Sequence, residues 1–192
     1  MRQRFHISII FFFFLPYLAF SDGTTSTAPS EGFSWMQLPF VRAYVASPKG
    51  WFFSHKHVQK ESRSLFTISK ENLDKGEKAR SVFNMVVVRG IPEKKKSNPS
   101  AFAAEMIQDI SKKTNTVKHW EGKRGELIEK GFLREDLSPD NSEKIREYFL
   151  TLSNDSTGTI YIISFVAPQE RWELDWPIGE IIIKNLRIDE TF

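Results

Sequence analysis

Two segments of the chain are apolar at nearly every position. The run 85–88 is unbroken, and the run 160–166 is interrupted only by Ser164. This pattern is typical of strands covered on both faces, because a strand with one wet face alternates apolar and polar residues. We therefore predict that the two runs lie in interior strands with material packed on either side.

Helices are predicted to supply this cover. Asn98 is a favourable N-cap with Pro99 at the first helical position, and apolar residues then recur every four positions. These residues are Phe102, Met106 and Ile110. We predict a helix that begins at Pro99 and closes near Lys112 and Lys113.

A second helical stripe lies near the end of the chain. It consists of Trp172, Trp176, Gly179, Ile183 and Leu186, which share one face of a helix. Pro177 falls inside this stripe, where proline costs a helix about 3 kcal/mol. The pattern therefore predicts a turn followed by a helix that begins near Trp176.

The remaining apolar segments alternate with polar residues and are separated by turns. They lie at 41–45, 51–58, 63–69, 116–120, 126–134 and 144–152. The last three are predicted to form antiparallel hairpins. The fold class that follows is α+β, with a largely antiparallel sheet of about six or seven strands covered by helices on both faces, a three-layer sandwich.

The N-terminus has the three parts of an export signal: basic Arg2 and Arg4, an apolar run over 7–20, and small residues Ala19 and Ser21 spaced for a peptidase. We predict cleavage after Ser21, and a mature protein that is periplasmic or secreted. The apolar run of about 14 residues is shorter than the ~20 that a spanning helix needs, so a retained membrane anchor is the alternative.

The predicted signal peptide is 1–21, and the segment 22–38, rich in Ser, Thr, Gly and Pro at first, is predicted to be a flexible tether. Residues 39–192 have the size of a single domain. The chain has no cysteine, which excludes disulfides and a lipid-modified cysteine.

The charge of the mature chain argues against nucleic acid as a partner. The whole chain carries +3, but loss of the signal removes two basic residues and leaves 25 basic against 24 acidic ones. A nearly neutral chain does not displace counterions from phosphate backbones. The one basic cluster, Lys94, Lys95 and Lys96, is predicted to be a solvated loop, with docking on an acidic partner or on lipid headgroups as the alternative.

Several residues carry a resemblance to a known family: Pro48, Gly50 and Trp51 early in the chain, and Ala167, Pro168, Trp172 and Trp176 late. Together with the order of elements, they resemble the PsbP-like family over roughly residues 39 to 190. That family includes the extrinsic protein of plant photosystem II and bacterial exported proteins, and its fold is shared with a nuclear Ran-binding factor. The resemblance implies a largely antiparallel sheet between helices, used as an accessory or interaction module without an active site.

The search for catalytic motifs finds little. The sequence has no cysteine nucleophile, Gly-x-Ser-x-Gly elbow, Gly-rich phosphate loop or His-Glu-x-x-His pair. His55 and His57 are two residues apart on a predicted strand and point to the same face, where both imidazoles could reach one metal. A catalytic zinc site needs a third ligand, for which His119 is the only other histidine of the mature chain.

We expect no enzyme and no cofactor. The predicted function is that of an exported, non-enzymatic accessory or binding module, acting on a protein or an envelope component. The predicted binding surface includes Trp51, Trp172 and Trp176, because indole buries a large area at low entropic cost. Two alternatives stay open: a metal-dependent enzyme that uses His55 and His57, and a carrier of a small apolar ligand.

The carrier would require a closed cavity between sheet and helix, lined by Phe102, Met106 and Ile163. For the tryptophans the alternative is purely structural, since they would also serve to close one end of the core.

Overall fold

The computed structural model describes residues 29–138 and 142–192. Its strands are β1 (Phe33–Gln37), β2 (Ala43–Pro48), β3 (Phe52–Val58), β4 (Arg63–Ser69), β5 (Val82–Val88), β6 (Asn115–Arg124), β7 (Leu127–Leu137), β8 (Lys144–Asn154), β9 (Thr159–Pro168) and β10 (Arg187–Ile188). Its α-helices are α1 (Ile91–Lys95), α2 (Pro99–Ser111) and α3 (Trp172–Lys184).

The strands form two antiparallel sheets. The larger has seven strands in the order β3-β4-β5-β9-β8-β7-β6, and the smaller has three in the order β1-β2-β10. Every pairing is antiparallel, and β5 and β9 are neighbours in the middle of the larger sheet. The predicted α+β class and the two predicted interior strands are therefore confirmed.

The first face of the larger sheet carries the main core. Alternate residues of β9 point to this face, and Tyr161, Ile163 and Phe165 on it are completely buried. They pack against α3 and the three-stranded sheet, with Ile182 of α3 and Val45 of β2 in the same cluster. Burial of this kind stabilises the fold by roughly 25 cal/mol for each Å² of apolar surface removed from water.

Part of the second face is covered by α1 and α2. The other residues of β9 point here, and Ile160 and Ile162 contact Ile91 of α1 and Ala103 of α2. The predicted cap of α2 is present, because the Asn98 side chain accepts a hydrogen bond from the backbone N–H of Ala101 at 3.0 Å. Helices thus lie on both faces of the sheet.

Three sequence-based expectations are wrong. The tether does not extend to residue 38, because Phe33–Gln37 pairs with β2 as strand β1. Lys94 and Lys95 lie in helix α1 instead of a loop. Helix α3 begins at Trp172 and continues through Pro177, and Trp172 in its first turn is only 4% exposed.

The predicted signal peptide and the first part of the predicted tether lie outside the described residues. Within residues 29–138 and 142–192, no helix is both long enough and apolar enough to cross a bilayer.

Candidate functional site

Two of the three predicted surface tryptophans are joined in an aromatic row. Trp172 stacks on Trp176 with ring centroids 5.0 Å apart, Trp176 lies 4.7 Å from Tyr148, and Tyr148 lies 4.7 Å from Trp120. Trp172 is buried, whereas Trp176 and Trp120 are half-buried. Sequence reasoning missed Trp120 and Tyr148, because only the sheet order brings β6 and β8 to the side of α3.

Trp51 lies apart from this row. It directly precedes β3, the edge strand opposite to β6, and it packs half-buried against the main core. The three tryptophans therefore do not form one continuous surface around Trp172, whose indole belongs to the core.

The basic cluster has separate local roles. The ammonium group of Lys94 donates to the carbonyl oxygens of Glu61 and Arg89, at 2.5 and 2.6 Å. The ammonium group of Lys95 lies 5.5 Å from the ring centroid of Phe102, and Lys96 caps α1 in a left-handed conformation. Lys94 thus ties the loop before β4 to the chain after β5.

His55 and His57 do share a face of β3. Phe40 lies over both, with its ring 4.5 Å from that of His57 and 6.0 Å from that of His55. Nδ1 of His57 is 2.9 Å from the Ser64 hydroxyl. Across the described residues, no group of three or more His, Asp or Glu side chains is placed to hold a metal.

The third histidine does not approach this pair. His119 lies on β6, at the far edge of the sheet, and its ring packs against Phe132. The two-histidine arrangement therefore offers a metal only two protein ligands among the described residues.

The predicted apolar cavity is not formed. Phe102 and Met106 pack on the second face of the sheet, while Ile163 belongs to the first face. Because neighbouring residues of a strand point to opposite faces, Ile163 and Ile162 cannot line the same side. Phe102 and Met106 instead border an open groove of about 440 Å³ along α2.

The second face has a larger pocket where α2 does not cover it. This pocket has a volume of about 530 Å³. Its floor is formed by side chains of β5, β9, β8 and β7, and its rim by residues 78–80, Ser138 and Glu143. It is lined by Lys78, Ala79, Arg80, Val82, Asn84, Arg134, Ser138, Glu143, Ile145, Glu147, Ser164 and Val166.

A buried ion pair lies in the floor of this pocket. Nε of Arg134 donates to Oε2 of Glu147 at 2.5 Å, and Nη1 donates to Asp136 at 3.1 Å. Glu147 is only 8% exposed. Burial raises the pKa of Glu147, and the Arg134 guanidinium and the Ser164 hydroxyl offset only part of that rise. A carboxyl group with a perturbed pKa inside a pocket is a recognised mark of a functional site.

Next to the pocket, the second face exposes an apolar surface that we call the open patch. It is defined by Phe52 of β3, Leu65 of β4 and Val86 of β5, with Lys56 opposite Leu65. Phe52 and Leu65 are 44% and 37% exposed. Among the described elements, no helix makes an extensive contact with β3, β4 or β5.

Comparison with solved structures places the fold among known ones. The cyanobacterial PsbP of Synechocystis superposes with a TM-score of 0.54 at 10% identity, over 88% of this chain and 98% of that one. The fold is therefore PsbP-like. At this identity the likeness shows the fold alone, and membership of the PsbP-like family stays a prediction.

Two further structures have lower scores. A protein of unknown function from Pseudomonas aeruginosa gives 0.48 at 10% identity, over 82% of this chain and 97% of that one. The Ran-binding protein Mog1p of Saccharomyces cerevisiae gives 0.47 at 8% identity, over 81% and 95%. No family of known sequences matches the chain, and no curated protein matches it either.

The geometry of the second face suits recognition. The pocket is lined by four apolar residues and eight polar or charged ones, so it offers both apolar contact and hydrogen-bonding groups. The open patch adds exposed apolar side chains on a rigid sheet. Sequence reasoning missed both, because the contributing residues are scattered over several segments with no common motif.

Proposed function

We propose that this chain is an exported, non-enzymatic accessory module that binds a partner protein of the cell envelope or extracellular space. The observation that carries the proposal is the open patch on the second face of the larger sheet. Phe52 and Leu65 expose 44% and 37% of their surfaces on strands whose other face is packed into the core.

The chemistry of the open patch indicates the kind of partner. Leu65 and Val86 are direct neighbours across β4 and β5, whereas Phe52 lies four residues along the sheet from the position of Lys56 and Leu65. Burying such exposed apolar side chains releases about 25 cal/mol per Å². Lys56 lies opposite Leu65, and no ion pair holds its ammonium group among the described residues. The expected partner segment therefore combines apolar side chains with a carboxylate.

The location of the open patch on a sheet favours a stable binding surface. β4 and β5 pair with neighbours along their whole lengths, so Leu65 and Val86 are held in fixed positions. Rigid side chains lose little entropy on binding, and this preorganisation increases affinity.

Capture from the native envelope fraction tests the partner proposal. Wild-type mature protein, Leu65→Glu and Phe52→Glu are compared with Val117→Glu as a matched control. Val117 is 55% exposed but lies on β6, at the other edge of the sheet. We expect one protein to be retained by wild type and by Val117→Glu, and its affinity to fall at least about tenfold, or 1.4 kcal/mol, with either patch variant.

Equal capture by all four proteins would refute the open patch as the binding surface. Circular dichroism of each variant shows whether the fold is kept, which is expected because both patch side chains are already partly in water.

Export rests on the sequence of the N-terminus, which combines Arg2 and Arg4 with the apolar run 7–20 and the small residues Ala19 and Ser21. We expect mass spectrometry of the protein from its native host to give a chain that begins at Asp22. A protein found with its apolar run 7–20 intact would instead support the retained anchor.

A further inference from the structure

The pocket in the second face is distinct from the open patch, and its charges indicate a different kind of ligand. Two of its ionic pairs are internal: Arg134 with Glu147, and Lys78 with Glu143. Arg80, at the rim, is the lining cation that makes no ion pair among the described residues. Its backbone N–H donates to the carboxylate of Glu71 at 3.1 Å.

The walls below Arg80 are apolar. Val82 and Val166 pair across β5 and β9, and Ile145 lies on β8 beside them, all on the second face. Val82 and Val166 are half-buried, so part of their surface stays in water until something covers it. The volume of about 530 Å³ lies within the range of roughly 300 to 1,000 Å³ typical of small-molecule sites.

The floor supplies a hydrogen-bond donor. Oδ1 of Asn84 accepts from the Thr67 hydroxyl at 2.9 Å, which fixes the amide. This bond leaves the Nδ2 group of Asn84, which lines the pocket, as a donor with no partner among the described residues.

We propose that this pocket binds a small amphipathic anion. Arg80 at the rim holds its acidic group, the walls of Val82, Ile145 and Val166 cover its apolar body, and Asn84 donates to a polar atom of the ligand. The ionic pairs of the pocket remain intact, so binding requires no buried charge to be separated.

A fluorescent amphipathic anion, 8-anilinonaphthalene-1-sulfonate, is the probe. It is titrated into wild-type protein, Arg80→Gln, Val166→Phe and the control Lys113→Gln. Lys113 lines the separate groove along α2, so weaker binding by Lys113→Gln would show that the probe binds in that groove. We expect Arg80→Gln to weaken binding about tenfold, since it removes a charge-assisted contact at a partly wet rim. Val166→Phe is expected to weaken binding because it narrows the pocket, and Lys113→Gln to have no effect.

Amide spectra by NMR locate the probe. The side-chain amide signal of Asn84 is expected to shift on titration, while that of Asn185, which caps the end of α3, stays fixed. No binding, or binding that Arg80→Gln and Val166→Phe leave unchanged, overturns the proposal, and so does weakening by Lys113→Gln alone. Thermal unfolding of Val166→Phe shows whether its core is intact. If Val166→Phe is unfolded, the binding result for Arg80→Gln, whose changed side chain is exposed, tests the proposal by itself. The binding results for Arg80→Gln and Val166→Phe are independent of partner capture at Leu65, which lies outside the pocket.

Discussion

Pro177 tests where helix α3 begins: at Trp172, as in the structure, or near Trp176, as the sequence pattern predicts. It is the sixth residue of α3, and a residue with an N–H at this position would bond the carbonyl of Glu173. Proline has no N–H, and its ring clashes with that carbonyl. The Pro177 side chain is exposed, so its replacement removes no buried contact.

The size of the effect follows from helix energetics. Proline in a helix interior is about 3 kcal/mol less favourable than alanine. The helix forms in spite of this cost because its first turn buries Trp172 to 4% exposure, and a buried tryptophan is worth about 3 to 5 kcal/mol relative to alanine. We expect Pro177→Ala to raise the free energy of unfolding by about 2 to 3 kcal/mol, or roughly 4 to 12 °C in Tm.

Urea denaturation followed by circular dichroism measures this change. The matched control is Pro92→Ala, also exposed but in the first turn of α1, where no hydrogen bond is lost. A change within about 0.5 kcal/mol is expected there. If Pro177→Ala were no more stable than Pro92→Ala, the helix would begin near Trp176, as the sequence pattern predicts, and the reasoning would fail.

Two other predictions concern the sheet. Gly131→Ala should destabilise the fold by about 1 to 3 kcal/mol, since its Cβ would lie 2.5 Å from Cε2 of Trp120 and 2.6 Å from the Phe149 carbonyl oxygen. Gly122→Ala is the control in the same denaturation assay, because a Cβ at Gly122 would meet open space. Equal effects of the two substitutions would contradict the close contact at Gly131. Because burial raises the pKa of Glu147 above 4.5, the folded chain holds this proton more tightly than the unfolded chain, and the stability contributed by Glu147 falls as pH rises from about 4.5 through the raised value. Glu147→Gln should therefore gain stability relative to wild type as pH rises from about 4.5, and a difference that is constant with pH would count against the buried carboxyl.

Local patterns were sufficient to predict much of the fold. The cap of α2 depends on neighbouring residues, Asn98 and Ala101, and it is present as expected. The predicted strand 63–69 agrees with β4, and the run 160–166 lies inside β9. Each of these elements is stabilised by features that a short window of sequence contains.

Elements that depend on distant partners were missed. Strand β1 is stabilised by pairing with β2, and β2 also pairs with the two-residue strand β10 near the C-terminus. Phe33, Trp35 and Met36 directly follow a segment rich in Ser, Thr, Gly and Pro, and they were assigned to the tether together with it. The start of α3 was misplaced for the same reason, since proline propensity is local and the burial of Trp172 against Phe165 is not.

The pocket lies where one sequence-based prediction was incomplete, namely that both faces of the two apolar strands are covered. An apolar run shows that both faces of a strand tolerate burial, but it does not show how far the cover extends. On β9, α1 and α2 cover Ile160 and Ile162, whereas Val166 lies in the pocket. On β5, buried residues of the first face alternate with half-buried residues of the second.

The fold tolerates this gap because the first face alone buries Phe83, Met85, Ile163 and Phe165 completely. The second face can therefore expose apolar surface to a ligand or partner without loss of the fold. Valine favours strands, so the valines at 82 and 166 fit a structural role as well as a ligand. The variant Val166→Phe separates the two roles, because it narrows the pocket while it keeps an apolar side chain in the strand.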